Sequence, residues 1–458
     1  MQRNITSRLQ KWYKRQDRLP LIIQGARQVG KTFAIKQFLE QNRNTIGNYH
    51  IFNFEEEESL KEIFQGDIVP DEIVRLLSVK RNTKILNTDL IFFDEVQVCS
   101  SALKSLKYFA EKRTQQPIIA AGSLLGIHLN DRHFNNQASF PVGKVQYETM
   151  GPLSFIEFLE GINDSFSKDL LLNIAQQKKT HPVEHDKLFS RYKEFCIMGG
   201  MPKAILAYQS RDNDFEKYTF CREVQANLIK DYLNDFAKYS GTANAKQLAS
   251  IFHSIAQQLW KVQDDSTKKF IFSEVLSSSK LTYSRLETPI QWLIDAGISN
   301  KVKITEKIEM PINGNTKENL FKLYPLDIGI LGAQLMLEPS KIFLENYGTV
   351  KGYMAETFVL QELLRSQEVG VNLSTPVCFQ AGSSEVEFII DIDGEAIPVE
   401  VKSSHNTRAR SLGNYIKKYQ PRAAVKFYAG LPQYNKEARL HTLPIYLAGM
   451  MREMELLK

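Results

Sequence analysis

A glycine-rich segment between a short apolar run and a helical pattern constrains this chain more than any other feature. Residues 25–32 have the sequence Gly-Ala-Arg-Gln-Val-Gly-Lys-Thr and fit the pattern G-x-x-x-x-G-K-[ST] at each fixed position. Residues 21–24 are predicted to be a buried strand, and residues 33–40 are predicted to be a helix. Because a strand, a glycine-rich turn and a helix start place backbone N–H groups around an anion, this segment predicts a phosphate-binding loop.

The loop and one serine form the predicted nucleotide site. Lys31 is expected to reach the β- and γ-phosphates of a nucleotide, and the Thr32 hydroxyl is expected to bind Mg²⁺. Ser123 follows the apolar run at 118–121, where a side chain can sense the γ-phosphate; the alternative is a hydroxyl that only closes a turn. The predicted nucleotide-binding residues are Gly25, Ala26, Arg27, Gln28, Val29, Gly30, Lys31, Thr32, Phe33 and Ser123.

A second apolar run ends in two acids, which the metal-binding and catalytic part of a nucleotide-hydrolysing site requires. Residues 90–95 have the sequence Leu-Ile-Phe-Phe-Asp-Glu. We expect Asp94 to hold Mg²⁺ with Thr32, and Glu95 to orient and activate the attacking water, at the carboxyl end of a parallel strand. The two motifs predict a Mg²⁺-dependent nucleoside triphosphatase with Lys31 and Glu95 as catalytic residues. The alternative is that each motif occurs here by chance.

The composition is that of an ordinary globular protein. The chain has 458 residues, enough for two to four domains of about 100–200 residues, and its net charge of +6 only weakly favours an acidic partner. Its four cysteines include no C-x-x-C pair, which argues against a zinc site or disulfide framework and favours a reducing compartment. No run approaches the roughly 20 apolar residues of a membrane helix, and residues 1–18 do not resemble a signal peptide. We therefore expect a cytoplasmic protein without a membrane partner.

The apolar pattern changes along the chain and predicts an α/β, multi-domain fold. Short apolar strands that alternate with helical patterns predict a parallel sheet covered by helices. Within the middle of the chain, strands at 298–304 and 306–311 are predicted to form the hairpin of a winged helix. The predicted domains are 1–150, a P-loop nucleotide-binding domain; 151–242, a helical lid-like region; 243–335, a winged-helix-like domain; and 336–458, a second α/β domain.

Several motifs together resemble a known family, the bacterial and archaeal AAA-type ATP-binding proteins. The resemblance implies ATP as the nucleotide, and it covers nearly the whole chain, although the C-terminal half of that family is a domain of unknown function. The family commonly has Gly-Arg just before the Pro-Leu-Ser-Phe segment, which lies at 152–155 in this chain. Gly143 and Lys144 stand in the place of that pair, so the role of the family's arginine is not transferred. The segments are GARQVGKT at 25–32, FFDEVQ at 92–97, AAGS at 120–123, GPLSFIEF at 151–158, GGMP at 199–202, FKLYPLD at 321–327 and PVEVKSS at 398–404.

The C-terminal unit carries a second constellation of charged residues. Glu400 and Lys402 lie on a predicted strand, where alternation places both on one face. Glu387 begins an apolar run, and Glu356 lies on a predicted helix. An acid on a helix, an acid on a strand and E-x-K in this order resemble the restriction-endonuclease-like core, in which acids hold a divalent metal ion and the lysine stabilises the attacking water. The core usually has Asp where Glu387 stands, and the alternative is a retained fold that binds without cleaving.

A basic stretch follows this constellation. Residues 401–436 contain no Asp or Glu, and Tyr415 and Tyr419 are interleaved with the cations. This composition predicts a phosphate-tracking surface, with DNA favoured over RNA; the alternative is a solvated helix whose charges are balanced by its neighbours. The predicted nucleic-acid contacts are Arg408, Arg410, Lys417 and Lys418.

These observations support one leading hypothesis and two alternatives. The leading hypothesis is an ATP-binding, Mg²⁺-dependent ATPase whose nucleotide cycle drives or gates an interaction with nucleic acid through the C-terminal half. The first alternative is an ATP-gated, metal-dependent nuclease. The second is an ATP-switched regulatory or assembly protein, in which the C-terminal domain docks a protein partner. The sequence leaves open whether the chain forms a homo-oligomer.

Overall fold

The fold is described from a computed structural model, and it consists of two compact units. The structure describes residues 1, 3–123, 125, 143–261, 269–275, 282–343, 351–367, 375–382, 384–402, 410–451 and 453–456. The N-terminal unit comprises Gln2–Gly151 with Asp295–Gly297, and the C-terminal unit comprises Met1, Pro152–Ile294 and Ile298–Lys458. Within the described residues, no helix is both long and apolar enough to cross a membrane.

The N-terminal unit alternates strands and helices, as its sequence predicts. Its strands are β1 (Leu21–Gln24), β2 (Tyr49–Asn53), β3 (Leu90–Asp94), β4 (Ile118–Ala121) and β5 (Gln146–Thr149). Its helices are α1 (Ile5–Lys14), α2 (Lys31–Gln41), α3 (Arg43–Ile46), α4 (Leu60–Ile63), α5 (Pro70–Arg81) and α6 (Ser100–Lys112).

All strand pairs of this unit are parallel, and the sheet order is β2-β3-β4-β1-β5. The central strands are continuous apolar runs because helices cover both faces of a parallel sheet. The predicted parallel sheet is therefore confirmed. Since β1, β4 and β3 are successive neighbours, the segments that follow their carboxyl ends meet at one edge of the sheet.

A cluster of aromatic rings fixes the end of β3. The ring of Phe93 lies 5.7 Å from that of Phe54, 5.7 Å from that of Phe64 and 6.5 Å from that of Phe109, measured between centroids. All four side chains are buried in one core. Edge-to-face aromatic pairs add about 0.5–1.5 kcal/mol each beyond the area that they bury. The residue that follows Phe93 is Asp94, which is therefore held by a well-packed strand.

The C-terminal unit begins with helices and ends with a large sheet. Its helices are α7 (Phe155–Gly161), α8 (Ser165–Gln177), α9 (Pro182–Met198), α10 (Pro202–Gln209), α11 (Asp214–Lys261), α12 (Tyr283–Asp295), α13 (Ile328–Gln334), α14 (Pro339–Phe343), α15 (Lys351–Gln367) and α16 (Arg410–Tyr419). Its strands are β6 (Ser299–Thr305), β7 (Thr316–Pro325), β8 (Val377–Ala381), β9 (Ser384–Ile392), β10 (Glu395–Val401), β11 (Ala424–Tyr428), β12 (Gln433–Asn435) and β13 (Leu440–Pro444).

These strands form a mixed sheet of order β12-β13-β11-β10-β9-β8-β6-β7. Strands β8, β9 and β10 are an antiparallel meander, and β11 lies parallel to β10 after the crossover through α16. Helix α15 precedes the meander and packs on it through Phe358 and Val359, which share a core with Phe388 and Val399. The predicted α/β, multi-domain fold class is confirmed at this level.

The predicted second strand of the hairpin, at 306–311, is wrong. Those residues form an exposed connection, and the Thr305 hydroxyl donates to the Lys307 carbonyl at 2.6 Å, which closes a turn after β6. The strand that pairs antiparallel with β6 is β7. Its first residues, Thr-Lys-Glu-Asn, are polar and largely exposed, so only the second half of the strand carries the apolar signal.

Two observations concern the predicted domain limits inside this unit. Helix α11 is continuous across the limit placed between residues 242 and 243. Strand β6 pairs in parallel with β8, so the β6–β7 pair belongs to the same sheet as the C-terminal strands. The four predicted domains and the winged-helix assignment stay predictions.

Candidate functional site

We call the predicted phosphate-binding loop, residues 25–32, the P-loop. Its backbone adopts conformations that require glycine at two positions. Gly30 has φ of 93° and immediately precedes α2, where a side chain would be strained. Gly25 has φ of 150°, and a Cβ atom there would lie 1.9 Å from the Met150 carbonyl oxygen. Among the described residues, no side chain caps the start of α2. The N–H groups of its first turn therefore face the loop, where an anion would be stabilised.

Lys31 lies inside this loop. Its Nζ donates to the Gly25 and Ala26 carbonyl oxygens at 2.9 Å each, and the side chain is buried. Burial lowers the pKa of Lys31 to about 8, and Arg27 adds to the decrease, although Glu95 and Asp94 act in the opposite direction. The nearby carboxylates thus offset the burial of the Lys31 charge only in part, as expected for a group that binds a polyanion.

The depressed pKa predicts how stability depends on pH. The folded protein has a Lys31 pKa of about 8 against 10.5 in the unfolded chain, so between these values the unfolded chain binds more protons. The free energy of unfolding therefore rises with pH across this interval, by about 3 kcal/mol. We expect urea titrations from pH 7.5 to 10.5 to show this gain for the wild type relative to Lys31→Met. Parallel pH profiles for the two proteins would contradict it.

Thr32 and Asp94 meet as the sequence predicts. The Thr32 hydroxyl donates to Asp94 Oδ1 at 2.9 Å, and Asp94 is buried at the end of β3. Burial raises the pKa of Asp94 to about 6, although the hydrogen bond from Thr32 opposes the shift. A hydroxyl and a carboxylate are oxygen ligands that suit Mg²⁺, which usually takes one or two carboxylates and completes its shell with water and phosphate. These two residues therefore fit the metal ion that accompanies a nucleoside triphosphate.

Glu95 belongs to a small polar cluster with Ser123 and a residue that sequence reasoning missed, Gln97. Gln97 Nε2 donates to Glu95 Oε2 at 2.6 Å and to Ser123 Oγ at 3.3 Å, and Ser123 Oγ lies 3.4 Å from Glu95 Oε2. Glu95 has φ of 50°, which turns the chain sharply after β3. A Cβ atom on Gly122 would lie 1.9 Å from Gln97 Oε1, so the glycine leaves the space that Gln97 occupies.

Arg3 is a second residue that sequence reasoning missed. The guanidinium donates to the Val29 carbonyl at 2.7 Å and to the Gly151 carbonyl at 2.7 Å, and the side chain is buried. It therefore holds the P-loop from a position more than 20 residues before it. Nothing in the polar sequence of residues 1–18 marks this arginine among its neighbours.

The remaining predicted loop residues differ in exposure. Ala26 and Val29 are buried and shape the loop. Gln28 has φ of 66°, in the left-handed region. Phe33 is 57% exposed beside the start of α2. A phenylalanine so placed can contact a nucleotide or a neighbouring molecule, and its role stays a prediction.

The structure brings together three of the four residues of the C-terminal constellation, Glu387, Glu400 and Lys402. Lys402 Nζ lies 2.7 Å from Glu400 Oε1 and 3.8 Å from Glu387 Oε1. Glu387 Oε2 accepts a hydrogen bond from the Val401 N–H at 3.1 Å. Burial alone would lower the pKa of Lys402, but Glu387 and Glu400 raise it above its ordinary value. The lysine is therefore a permanent cation that neutralises these carboxylates.

A register shift in the sheet places Glu387. Phe379 pairs with Val386 and Val377 pairs with Ile389, so β9 has one residue more than β8 between these pairs. The extra residue falls at 387–388, and such a bulge turns a side chain away from its regular direction. Glu387 then reaches across to β10.

Glu356 interacts mainly with other partners. It accepts a hydrogen bond from the Tyr324 hydroxyl at 3.0 Å and lies 3.9 Å from Lys322 Nζ. Lys322, which sequence reasoning missed, is buried and also pairs with Glu385 at 2.6 Å. In the part of the chain that the structure describes, no three His, Cys, Asp or Glu side chains are grouped so that they could hold a metal ion. The described arrangement therefore does not fit a resident metal ion at this site.

Three of the four predicted nucleic-acid contacts lie on α16. Arg410, Lys417 and Lys418 are exposed on this helix, whereas Arg408 lies outside the described residues. Tyr415, one of the two tyrosines interleaved with these cations in the sequence, is buried against Phe379, with ring centroids 5.2 Å apart. Its ring is thus part of the core and is not available to a base.

Comparison with protein families identifies the domain in which the first site lies. Residues 17–159 match the model described as an AAA domain. They form an AAA-type P-loop NTPase domain. The P-loop, Asp94, Glu95, Gln97 and Ser123 all fall within this AAA domain, whereas Arg3 precedes it. Residues 190–341 and 351–448 match two further models, DUF8612 and DUF4143, each described as a domain of unknown function.

Comparison with solved structures gives distant similarities, two of which are described here. A Walker-type ATPase of Pyrococcus abyssi is 15% identical with a TM-score of 0.44, and the match covers 72% of this chain and 94% of that one. The Orc1 protein of Aeropyrum pernix, solved in complex with DNA, is 12% identical with a TM-score of 0.28, and the match covers 74% of this chain and 92% of that one. No curated protein matches the chain.

Proposed function

We propose that the protein binds ATP with Mg²⁺ in its AAA domain and hydrolyses it. The observation that carries the proposal is the Thr32–Asp94 contact of 2.9 Å, which joins the P-loop to the strand that ends in Glu95. This contact gathers a phosphate-binding backbone, a pair of oxygen ligands and a candidate base at one edge of the sheet. Phosphoryl transfer requires this combination, because its catalysis is mostly positioning and charge stabilisation.

Each residue has a separate task in this mechanism. The P-loop N–H groups hold the β-phosphate, and Lys31 leaves its carbonyl partners to neutralise the γ-phosphate. Thr32 and Asp94 would hold Mg²⁺, which supplies additional positive charge to the phosphate oxygens. Glu95 accepts a proton from the attacking water. Gln97 and Ser123 keep the Glu95 carboxylate in place and donate hydrogen bonds to it.

The direct test is a measurement of phosphate release from ATP and GTP with Mg²⁺, and with EDTA as the control. We expect turnover with ATP that EDTA removes. The same assay with single- and double-stranded DNA over a salt series tests whether nucleic acid stimulates turnover. Failure of the purified protein to bind or hydrolyse any nucleoside triphosphate would refute the proposal.

We further propose that the C-terminal unit binds nucleic acid without cleaving it, and that the nucleotide cycle controls this binding. The exposed cations on α16 favour binding to a phosphate backbone. The order α15, β8, β9, β10, α16, β11 favours a restriction-endonuclease-like core. However, Lys402 is bonded to Glu400 and close to Glu387, so the acids that would hold a metal ion are neutralised by an ion pair.

This proposal predicts the outcome of a cleavage assay. We expect wild-type protein and Lys402→Ala to leave supercoiled plasmid and labelled single strands intact with Mg²⁺ or Mn²⁺, with and without ATP. We also expect Lys402→Ala to lose about 3–5 kcal/mol of unfolding free energy, because Glu400 would remain buried without its partner. Lys417→Ala, on the exposed face of α16, is the control for loss of a lysine.

Metal-dependent cleavage by the wild type that Lys402→Ala removes would contradict the proposal and favour the ATP-gated nuclease. Absence of salt-sensitive binding to any nucleic acid would instead favour the regulatory protein with a docking domain.

A further inference from the structure

A basic groove lies in the C-terminal unit, and none of its described lining residues belongs to α16. It is lined by five cations, Lys178, Lys179, Arg422, Lys436 and Arg439, and it contains about 1380 Å³ of empty space, including solvent at its mouth. This is far more than a single phosphate ion fills, so the groove suits an extended ligand. The residues come from the end of α8, from the start of β11 and from the β12–β13 hairpin at the edge of the sheet.

The cations of this basic groove have few ion-pair partners among the described residues. Among the described residues that line it, there is no Asp or Glu. Arg422 lies 3.9 Å from Glu395, whereas the other four cations form no ion pair with any residue that the structure describes. Like charges brought together without carboxylates repel one another, and a polyanion relieves this repulsion.

An aromatic platform stands in the same groove. The Tyr434 ring is stacked on the His441 ring, with centroids 4.5 Å apart and planes 30° from parallel, and Tyr434 is 58% exposed. The two residues face each other across the β12–β13 pair. Burial and the nearby Lys178 lower the pKa of His441, which favours the neutral imidazole, and the ring supports the tyrosine by stacking. The outer face of Tyr434 is free to take a further planar group.

We propose that this basic groove binds single-stranded nucleic acid, with phosphates on the cations and an unpaired base stacked on Tyr434. The inference rests on the proposed function only for the class of partner, nucleic acid. A combination of backbone-tracking cations and an exposed aromatic ring is the usual means of binding single strands, because a base must be unpaired to stack on a protein ring. A membrane surface fits less well, since Leu443 and Leu456, the aliphatic side chains in the groove, are both buried.

The test uses the full-length protein and a fluorescently labelled 15-nucleotide single strand of mixed sequence. Affinity is measured by anisotropy between 50 and 300 mM NaCl, without ATP. The groove variant is Lys179→Gln, Lys436→Gln and Arg439→Gln combined, three exposed side chains whose loss leaves the core intact. We expect at least about tenfold weaker binding, and a salt slope that is smaller by about 2, since each phosphate contact on a single strand contributes about 0.7.

The matched control removes the same number of charges from exposed helical positions in the same unit, by Lys203→Gln, Lys230→Gln and Lys246→Gln. We expect it to retain wild-type affinity within about threefold. Tyr434→Ala is expected to weaken binding by about 5- to 100-fold with an unchanged salt slope, and Tyr434→Phe is expected to bind like the wild type, because it keeps the ring.

Three outcomes would overturn the inference. If the groove variant and the control bind equally, nucleic acid is bound elsewhere, and the proposed function stands without this groove. If the wild type binds no single strand but does bind vesicles containing phosphatidylserine, the groove serves a membrane surface. If the wild type binds neither, the groove is not a polyanion site, and ATP turnover remains to be judged by its own assay.

Discussion

Lys31→Ala is expected to abolish ATP turnover, with a loss of about 10²–10³-fold or more. The residue is the only buried cation within the described P-loop, and its Nζ is held inside the loop by the Gly25 and Ala26 carbonyl oxygens. Removing it leaves the triphosphate charge without its closest protein counter-charge. The variant should also lose affinity for ATP, because the same charge acts on the ground state.

The measurement is phosphate release together with binding of a fluorescent ATP analogue. Lys11→Ala, on the exposed side of α1, is the matched control and should behave like the wild type. Circular dichroism shows whether both variants are folded; the buried lysine is a destabilising charge below pH 8, so Lys31→Ala is not expected to unfold. Turnover in Lys31→Ala within tenfold of wild type would remove the P-loop from the proposed mechanism.

Glu95→Gln is expected to separate binding from chemistry. The amide has the shape of the carboxylate and can still accept a hydrogen bond from Gln97, so the site should remain assembled. It cannot take a proton from water, and loss of a general base reduces the rate by about 10²–10⁴-fold. We therefore expect Glu95→Gln to bind ATP as tightly as the wild type and to hydrolyse it very slowly.

Single-turnover hydrolysis and equilibrium binding of the same ATP analogue measure the two effects separately. Glu62→Gln, an exposed position on α4, controls for loss of a carboxylate. Equal turnover in Glu95→Gln and the wild type would exclude Glu95 as the base. A loss of ATP binding in Glu95→Gln would mean that Glu95 stabilises the assembled site, and that positioning the attacking water is not its main role.

The first site could be predicted because its signal is local. The P-loop, its strand and its helix are adjacent in sequence, and the run that ends in Asp94 shows its position at a strand end by its apolar residues alone. Gln97 and Arg3 could not be predicted in the same way. Gln97 acts through a contact to Ser123, 26 residues away, and Arg3 acts through a contact to Gly151, 148 residues away. Such contacts depend on how the strands are ordered in the sheet, which the sequence pattern does not specify.

The C-terminal unit shows the same limit more clearly. The alternation of side chains along a strand correctly predicted that Glu400 and Lys402 lie on one face. Val399 and Val401 lie in the core on the other face. Glu387 lies beside them because of a register shift between β8 and β9. No feature of the β9 sequence predicts that shift. Lys322 was missed because the first half of β7 is polar and its sequence does not predict a strand. The buried position of Lys322 in the second half of that strand was therefore not predicted.

The tight packing of Gly122 against Gln97 has a consequence for how this protein can change over time. Because a side chain at position 122 would displace the Gln97 amide from its present place, the two positions are expected to vary together. A related chain with alanine or serine at 122 should carry a shorter residue at 97, and it would then need another group to hold its acid.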